Sequence, residues 1–271
     1  MGRHSQLDRP EALGHVPAPA ARGGAASRTP ADRIDEDSRG GVLSWPATAR
    51  AILPAFAITR LVTLVAGVLG AAIWGIHDAA SVYDPAGLTT GLGSVTDRLV
   101  APYARWDAVW FLDIANQGYP TSYLPRTAFF PLYPGMLRVF GTVLGSPLIA
   151  GLLISNACAF VGTMFVHRLT ELELGRPAAG MAVWVLLLFP GSLWLSSVYS
   201  EGLFLLVSAG CLYFARERRW AAVAVLGALA ATTRSAGVVL VVPVLLLAWQ
   251  QWRERPARQP LAAAAAGVGE A

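Results

Sequence analysis

Charged and aromatic residues stand together in the segment 105–120, which reads RWDAVWFLDIANQGYP. A positioned carboxylate can act as a general base, and Asp107 is the first candidate for that role. The same residue also suits the start of a helix that ends at Gly118, because helix N-termini favour acidic or capping side chains and helices commonly end at glycine. The spacing leaves both interpretations open. Arg105 is of interest as the neighbouring cation.

A second carboxylate, Asp113, follows Asp107 by six positions. On a helix this spacing turns the two side chains about 120° apart, so they do not form the facing pair that a two-carboxylate hydrolase needs. The four histidines are scattered, and the two cysteines lie in apolar stretches. Walker A and GxGxxG motifs are missing from the sequence. We therefore predict no metal site, no cofactor and no nucleotide-driven chemistry.

Three ionisable residues interrupt apolar stretches in which charge is costly: Arg60, Glu201 and Arg234. Ionisable side chains at membrane depth are candidates for function, so all three are candidate substrate-binding residues. The alternatives are that Arg60 or Arg234 extends toward lipid head groups, or pairs with Glu201 to hold the structure together. Three further arginines are interpreted as ordinary solvated or head-group-facing charges: Arg98, Arg126 and Arg138.

The elements that must position these residues are membrane-spanning helices. Of the 271 residues, 55% are apolar and 14% charged, and the mean hydropathy is +0.50, which is typical of an integral membrane protein. The net charge of +4 forms no concentrated basic face, so nucleic-acid binding is not expected. Apolar runs predict an all-α polytopic bundle of about six spans. These runs are 51–75, 147–166, 178–198, 202–215, 220–233 and 236–252.

Arginines cluster at alternate ends of these runs, and the cytoplasmic side of a membrane is enriched in arginine. This pattern places a disordered N-terminal tail, 1–44, in the cytoplasm and a large loop, 76–127, outside. The bundle is predicted over 45–255, and an Ala/Pro/Arg-rich tail over 256–271. The segment 128–145 is interrupted by prolines and a glycine, so we predict an interfacial or re-entrant segment there rather than a span.

The same orientation brings Asp107, Glu201 and Arg234 to one extracytoplasmic face of the membrane. Within the large loop, apolar residues at helical spacing predict an amphipathic helix that lies in the membrane interface with its rings at the acyl boundary. The residues of this apolar face are Trp106, Val109, Trp110 and Ile114.

Four sequence blocks, in this order, resemble the GPI mannosyltransferase II (PIG-V) family: RWDAVWFLDIANQGYP, TAFFPLYP, FPGSLWLSSVYSEGLF and TTRSAG. The segment ITRLVTL around Arg60 is also similar to the first span of that family. Each block alone is a weak signal, and the four in register over residues 51–243 make a specific match. Ala236 stands where the family commonly has Asn, and Arg105 where its GPI enzymes tend to have His.

The resemblance implies a GT-C type membrane glycosyltransferase with a large first extracytoplasmic loop that carries an acidic residue. It implies polyprenyl-phosphate mannose as the lipid-linked donor and α-mannosyl transfer with inversion. Residue by residue, it carries over Trp106, Asp107, Phe129, Phe130, Pro131, Tyr199, Ser200, Glu201, Arg234, Ser235 and Gly237.

Combined with the residue types, the resemblance gives a mechanism in which Asp107 removes the proton of an acceptor hydroxyl. A guanidinium stabilises the leaving phosphate, with Arg234 the first choice and Arg105 or Arg60 the others. Trp106, Trp110 and Tyr199 would pack against the sugar or the prenyl chain, and anchoring at the membrane interface is the alternative explanation for these aromatic residues.

Arginine without lysine suggests a bacterium, so we expect the bacterial plasma membrane and a cell-envelope glycolipid or glycan as acceptor. Membrane lipids are expected partners as well. Family members continue with further spans where this chain stops. A competing hypothesis is therefore a transporter or non-catalytic subunit that binds polyprenyl-linked sugars and assists a separate transferase.

Overall fold

The computed structural model of the protein describes residues 42–75, 84, 86–119 and 125–254. In these ranges the regular structure is helical and no strand occurs, which confirms the all-α class. The predicted tails over 1–44 and 256–271 lie outside the described residues, except for 42–44. The α-helices are α1 (Trp45–Trp74), α2 (Ser94–Val100), α3 (Asp107–Gln117), α4 (Leu132–Leu144), α5 (Pro147–Leu174), α6 (Arg176–Leu188), α7 (Glu201–Arg216), α8 (Trp220–Thr233), α9 (Ala236–Val239) and α10 (Val241–Arg253). Short 3₁₀ helices cover Ala101–Tyr103, Pro125–Ala128 and Pro190–Leu195.

Three helical stretches among the described residues are long and apolar enough to cross a bilayer: α1, α5, and α9 with α10. Large apolar side chains of α1 and α10, such as Leu61 and Leu245, are more than half exposed. Water would not tolerate so much apolar surface, whereas lipid would. The protein is therefore an integral membrane protein.

Three further apolar helices are shorter than a bilayer crossing needs. Helices α4 and α6 have 13 residues and α8 has 14, and at 1.5 Å per residue these reach only about 20 Å. The predicted span 178–198 stops as an α-helix at Leu188, because Phe189 precedes Pro190 and takes an extended conformation (φ −57°, ψ 133°). In length, the described helices match three of the six expected crossings.

Helix α5 is the central element and packs against α1, α4, α6 and α7. It begins at Ser146, whose hydroxyl accepts a hydrogen bond from the amide of Ile149. Helix α4 runs antiparallel to the first half of α5: Tyr133 shares a 2.7 Å hydrogen bond with Ser155, while Gly141 lies against Pro147. The segment 128–145 thus forms a short helical hairpin with α5, which agrees with its interpretation as something other than a full span.

Helix α3 packs onto this hairpin with a different face from the one predicted. Its buried apolar residues include Ala108, Phe111 and Leu112, which join the largest hydrophobic core. Trp106, by contrast, is 65% exposed. The sequence periodicity assigned Trp106 and Ile114 to one apolar face; in the structure, α4 and α5 pack on α3, Phe111 contacts Tyr133 of α4, and Ile114 is buried while Trp106 is not.

Near the C-terminal end of α5, a buried polar cluster binds the start of α1. We call it the Arg168 cluster; it consists of Trp45, Arg168, Glu171, Tyr213 and the backbone of Leu43. The Arg168 guanidinium lies 4.3 Å from the ring of Trp45, donates to the Tyr213 hydroxyl at 3.0 Å, and donates to the Leu43 carbonyl. Glu171 accepts from the Leu43 amide at 3.2 Å. These contacts tie α1, α5 and α7 together.

Candidate active site

Residues from four separate segments surround one cleft of about 270 Å³, which we call the Asp107 cleft. The segments are the start of α3, the stretch before α4, the connection into α7, and the hairpin between α8 and α9. Its lining residues are Asp107, Phe111, Ala128, Phe129, Phe130, Tyr199, Ser200, Glu201, Thr233, Arg234 and Ser235. The sequence predicted that Asp107, Glu201 and Arg234 share one face, and the structure brings all three to this cleft.

Asp107 is the first residue of α3, and its side chain is exposed. The capping position belongs to Trp106, which makes no side-chain cap. Within the described residues, the Asp107 carboxylate accepts no hydrogen bond and forms no ion pair. Of the two sequence interpretations, capping by the Asp107 side chain is therefore not observed, while Gly118 does end the helix, with its amide bonded to the Ile114 carbonyl.

Arg234 and Glu201 form an ion pair at the cleft, with Nη1 and Oε1 2.5 Å apart. Both side chains are partly buried, 41% and 27% exposed. The second carboxylate oxygen of Glu201 is buried and has no hydrogen-bond partner among the described residues. A buried, unpaired acceptor is unfavourable unless a donor reaches it, so Glu201 can accept a hydrogen bond from a ligand in the cleft.

Close helix contacts fix the position of this pair. A Cβ atom at Gly202 would lie 2.4 Å from the Ser155 carbonyl oxygen, so only glycine lets the start of α7 approach α5 this closely. A Cβ atom at Gly237 would lie 2.1 Å from the Ala230 carbonyl oxygen, which makes the α8–α9 hairpin equally tight. Gly202 follows Glu201 by one position and Gly237 follows Arg234 by three. The close approach at each glycine therefore fixes the position of the neighbouring charged residue.

Tyr199 lines the cleft with its ring, but its hydroxyl is used by the protein backbone. It donates to the Arg105 carbonyl and accepts from the Asp107 amide, both at 3.1 Å. Tyr199 lies in the connection before α7, outside the apolar helices, and burial raises the pKa of Tyr199 to about 12. The hydroxyl is consequently protonated and able to donate across the physiological pH range.

The structure does not bring Arg60, Arg105 and Trp106 into the Asp107 cleft, although the sequence grouped them with Asp107. Arg60 donates to the carbonyl and hydroxyl of Ser192 and to the hydroxyl of Ser196, at 2.8 to 3.2 Å. Its predicted pairing with Glu201 is not observed. Arg105 and Trp106 line a different depression, against the C-terminal half of α1.

Asp113, the second carboxylate of α3, is buried and forms an ion pair with Arg126. Arg126 is therefore engaged within the protein rather than freely solvated as predicted. Asp113 does not line the Asp107 cleft, in agreement with the angular separation expected from the six-residue spacing. Among the described residues, no group of three or more His, Cys, Asp or Glu side chains could hold a metal ion.

Several residues of the site gave no signal in the sequence. Phe111 and Thr233 line the cleft, and Ser155 donates to the Tyr199 carbonyl from the middle of an otherwise apolar helix. A single serine or threonine in an apolar run is more often a packing residue, so its type carries little information. Only the spacing of Phe111, one helical turn after Asp107, could have placed it on the same side of α3.

Comparison with known proteins identifies the family. The family model described as "Mannosyltransferase (PIG-V)" matches residues 50–252. The chain belongs to the PIG-V mannosyltransferase family. This match contains all eleven residues of the Asp107 cleft.

The matched relatives are named GPI mannosyltransferases. The rat GPI alpha-1,6-mannosyltransferase 2 is 35% identical over 202 residues, covering 69% of this chain and 40% of the relative. The human protein of that name is 32% identical over 214 residues, covering 73% and 42%. GPI mannosyltransferase 2 of Cryptococcus neoformans is 26% identical over 149 residues, covering 51% and 34%. The chain thus spans about two fifths of the length of the mammalian relatives. No solved structure matches the chain.

Proposed function

We propose that this PIG-V chain is a membrane mannosyltransferase that moves a mannosyl residue from polyprenyl-phosphate mannose to an extracytoplasmic glycolipid or glycan. The observation that carries the proposal is an Asp107 carboxylate with no hydrogen-bond or ion-pair partner among the described residues, in the same cleft as the Arg234–Glu201 pair. The names of the rat and human relatives support mannosyl transfer in an α linkage.

The chemistry is a single displacement with inversion. Asp107 accepts the proton of the acceptor hydroxyl while that oxygen bonds to the anomeric carbon of mannose. The bond between this carbon and the phosphate oxygen breaks on the opposite face of the sugar, and polyprenyl phosphate leaves with the electron pair. The exposure of Asp107 at the edge of the cleft suits a base that must meet an incoming acceptor.

Arg234 is suited to stabilise the negative charge that develops on the leaving phosphate. One of its terminal nitrogens bonds Glu201, and no other hydrogen bond of its guanidinium occurs within the described ranges. Glu201 thereby orients the guanidinium and leaves donors for phosphate oxygens. The unpaired oxygen of Glu201 and the hydroxyl of Ser235 are available for sugar hydroxyls.

An apolar wall completes the cleft. The rings of Phe111, Phe129 and Phe130 line it together with the charged residues. Apolar rings suit the carbon face of a sugar or the first isoprene units of the donor. Arg60, Arg105 and Trp106 lie outside this wall, and we propose that any role of theirs concerns lipid head groups or the prenyl chain rather than the reacting atoms.

The test compares Asp107→Asn with Asp113→Asn in the purified protein reconstituted in lipid vesicles. Radiolabelled polyprenyl-phosphate mannose is supplied with a cell-envelope glycolipid extract, and mannosylated product is counted. We expect Asp107→Asn to lower the transfer rate by about 10² to 10⁴, the usual contribution of a general base. Asp113→Asn, on the same helix but ion-paired with Arg126, is expected to retain transfer. Full activity in Asp107→Asn rejects Asp107 as the base.

A donor-binding subunit of a separate transferase is the competing function, because Arg234 and the apolar rings of the cleft could hold a polyprenyl-phosphate sugar without any proton transfer at Asp107. The same assay separates the two. A wild-type protein that binds the donor but forms product only when a partner membrane fraction is added is such a subunit. Product formed by the purified chain alone establishes the enzyme.

A further inference from the structure

The residue immediately before Asp107 has an unusual backbone conformation. Trp106 has φ 52° and ψ −116°, and it is one of two non-glycine residues with positive φ in the described part of the chain. A side chain in this region crowds the backbone, so the conformation persists only where surrounding contacts enforce it. Because Trp106 joins the preceding 3₁₀ turn to α3, its backbone angles set the direction in which α3 and Asp107 depart.

One side-chain atom contacts the backbone on both sides of Trp106, in addition to the hydrogen bond from the Ala108 amide to the Arg105 carbonyl and the packing of the Trp106 ring against that of Trp194. The hydroxyl of Tyr199 bonds both the Arg105 carbonyl and the Asp107 amide, each at 3.1 Å. These two groups lie on either side of Trp106. The Asp107 amide is one of the first donors of α3. As such it has no partner within the helix, and no side-chain cap bonds it. The Tyr199 hydroxyl therefore accepts the hydrogen bond of this amide, which the capping residue Trp106 leaves without a partner.

Tyr199 is itself held firmly from the opposite side. Its carbonyl accepts a 3.0 Å hydrogen bond from Ser155 on α5. Its ring lies 4.7 Å from that of Trp194 and 6.3 Å from that of Phe111, measured between centroids. Tyr199 is 7% exposed. A fixed ring and a fixed backbone give the hydroxyl a defined position from which to hold the turn.

We propose that Tyr199 is a positioning residue that acts through Asp107: its hydroxyl holds the strained turn 105–107 and so directs the Asp107 carboxylate into the cleft. The inference rests on the proposed function for its catalytic consequence. It assigns to Tyr199 a role through the backbone, in place of the substrate contact that its position in the sequence suggested.

The first experiment compares Tyr199→Phe with Tyr103→Phe. Tyr103 is also buried, and its hydroxyl donates to the Thr63 carbonyl at 2.7 Å, away from residues 105–107. We expect Tyr199→Phe to lower kcat about 10- to 100-fold, as small displacements of reacting groups do, with KM for the donor changed by less than about threefold. Tyr103→Phe is expected to keep kcat within about twofold of wild type, since its hydroxyl touches no part of the turn.

A second measurement needs no activity. Hydrogen exchange of the full-length protein in vesicles, followed for peptides that contain the Asp107 amide, should accelerate at least about tenfold in Tyr199→Phe and remain unchanged in Tyr103→Phe. Unchanged exchange in Tyr199→Phe overturns the inference even if Asp107→Asn is inactive. If exchange is faster in Tyr199→Phe and Asp107→Asn is active, Tyr199 does hold the turn 105–107, and Asp107 is rejected as the base.

The third measurement uses the strain itself. Trp106→Gly removes the side chain that disfavours positive φ, so the turn needs less support from Tyr199. In this background, Tyr199→Phe is expected to lower kcat by less than about threefold. An equal loss of kcat with and without the Trp106→Gly substitution overturns the inference, because a residue that merely contacts substrate would act independently of the backbone strain.

Discussion

The Asp107 cleft and the Arg168 cluster lie at different levels of the same helix bundle, and they use charge in opposite ways. In the Arg168 cluster, the guanidinium and the Glu171 carboxylate are more than nine-tenths buried and bonded to the protein. In the cleft, Asp107 is exposed and without such a partner among the described residues, and one oxygen of Glu201 is unpaired.

This is the difference expected between charges that maintain the fold and charges that bind a ligand. A buried charge is tolerated when the protein supplies its partners, and removing one partner then costs stability. A carboxylate left without partners contributes little to stability and is free to exchange protons with a substrate. Substitutions in the two regions should accordingly affect different properties, stability in one and turnover in the other.

The largest effect on stability is expected in the Arg168 cluster. Arg168→Gln leaves the Tyr213 hydroxyl and the Leu43 carbonyl without their donor, and we expect a loss of about 3 kcal/mol in unfolding free energy. Thermal unfolding in detergent micelles measures it, and transfer per folded molecule should be unchanged. Arg216→Gln is the control, because the partly exposed pair of Arg216 with Glu173 should contribute less than about 1 kcal/mol. A loss of turnover without loss of stability in Arg168→Gln would contradict the comparison.

Gly202→Ala should lower both properties, because this residue belongs to the core and to the cleft. The added Cβ would meet the Ser155 carbonyl oxygen at 2.4 Å, and we expect about 2 kcal/mol of destabilisation from overpacking. The displaced start of α7 should also shift Glu201 and slow transfer. Gly180→Ala is the matched control, since nothing lies within 4 Å of its Cβ; unfolding midpoints and transfer rates are compared in both variants.

Arg234→Lys should affect turnover and leave stability nearly unchanged. Lysine keeps the positive charge but loses the planar fork with which, in the proposed mechanism, Arg234 bonds both Glu201 and phosphate. We expect transfer to fall about tenfold, which corresponds to about 1.4 kcal/mol in the transition state. Steady-state kinetics with the polyprenyl-linked donor measures the change. If the unfolding midpoint fell as much as in Arg168→Gln, Arg234 would be a residue that maintains the fold.

Of these substitutions, Asp113→Asn should have the smallest effect on turnover. Its ion pair with Arg126 is partly buried, with side chains 12% and 17% exposed. The substitution leaves the Arg126 guanidinium without its charged partner, and we expect a loss of about 2 kcal/mol in stability. Asp107 and Asp113 lie on the same helix. If both substitutions lowered turnover equally, the presence or absence of a partner in the protein would not distinguish catalytic from structural carboxylates.

Much of this protein followed from the order of its residues. The apolar runs placed most helices, and the predicted run 202–215 agrees closely with α7, Glu201–Arg216. Gly118 predicted the end of α3, and the four sequence blocks predicted the family that the family model confirms. The sequence also predicted that Asp107, Glu201 and Arg234 lie on one face of the membrane, and the structure brings them to one cleft; the orientation of that face stays a prediction. These features are local or periodic along the chain, and composition and spacing determine them directly.

The partners of the individual charges were decided by the tertiary structure. Arg60 bonds Ser192 and Ser196 rather than Glu201, and Asp113 pairs with Arg126 across a connection. Each depends on which groups lie within about 3 Å once helices have packed, and residue types alone leave many such groups equivalent. The turn at Trp106 shows this most clearly: the hydroxyl that bonds both sides of it belongs to Tyr199, 93 positions later, and the Tyr199 carbonyl is bonded by Ser155 of α5.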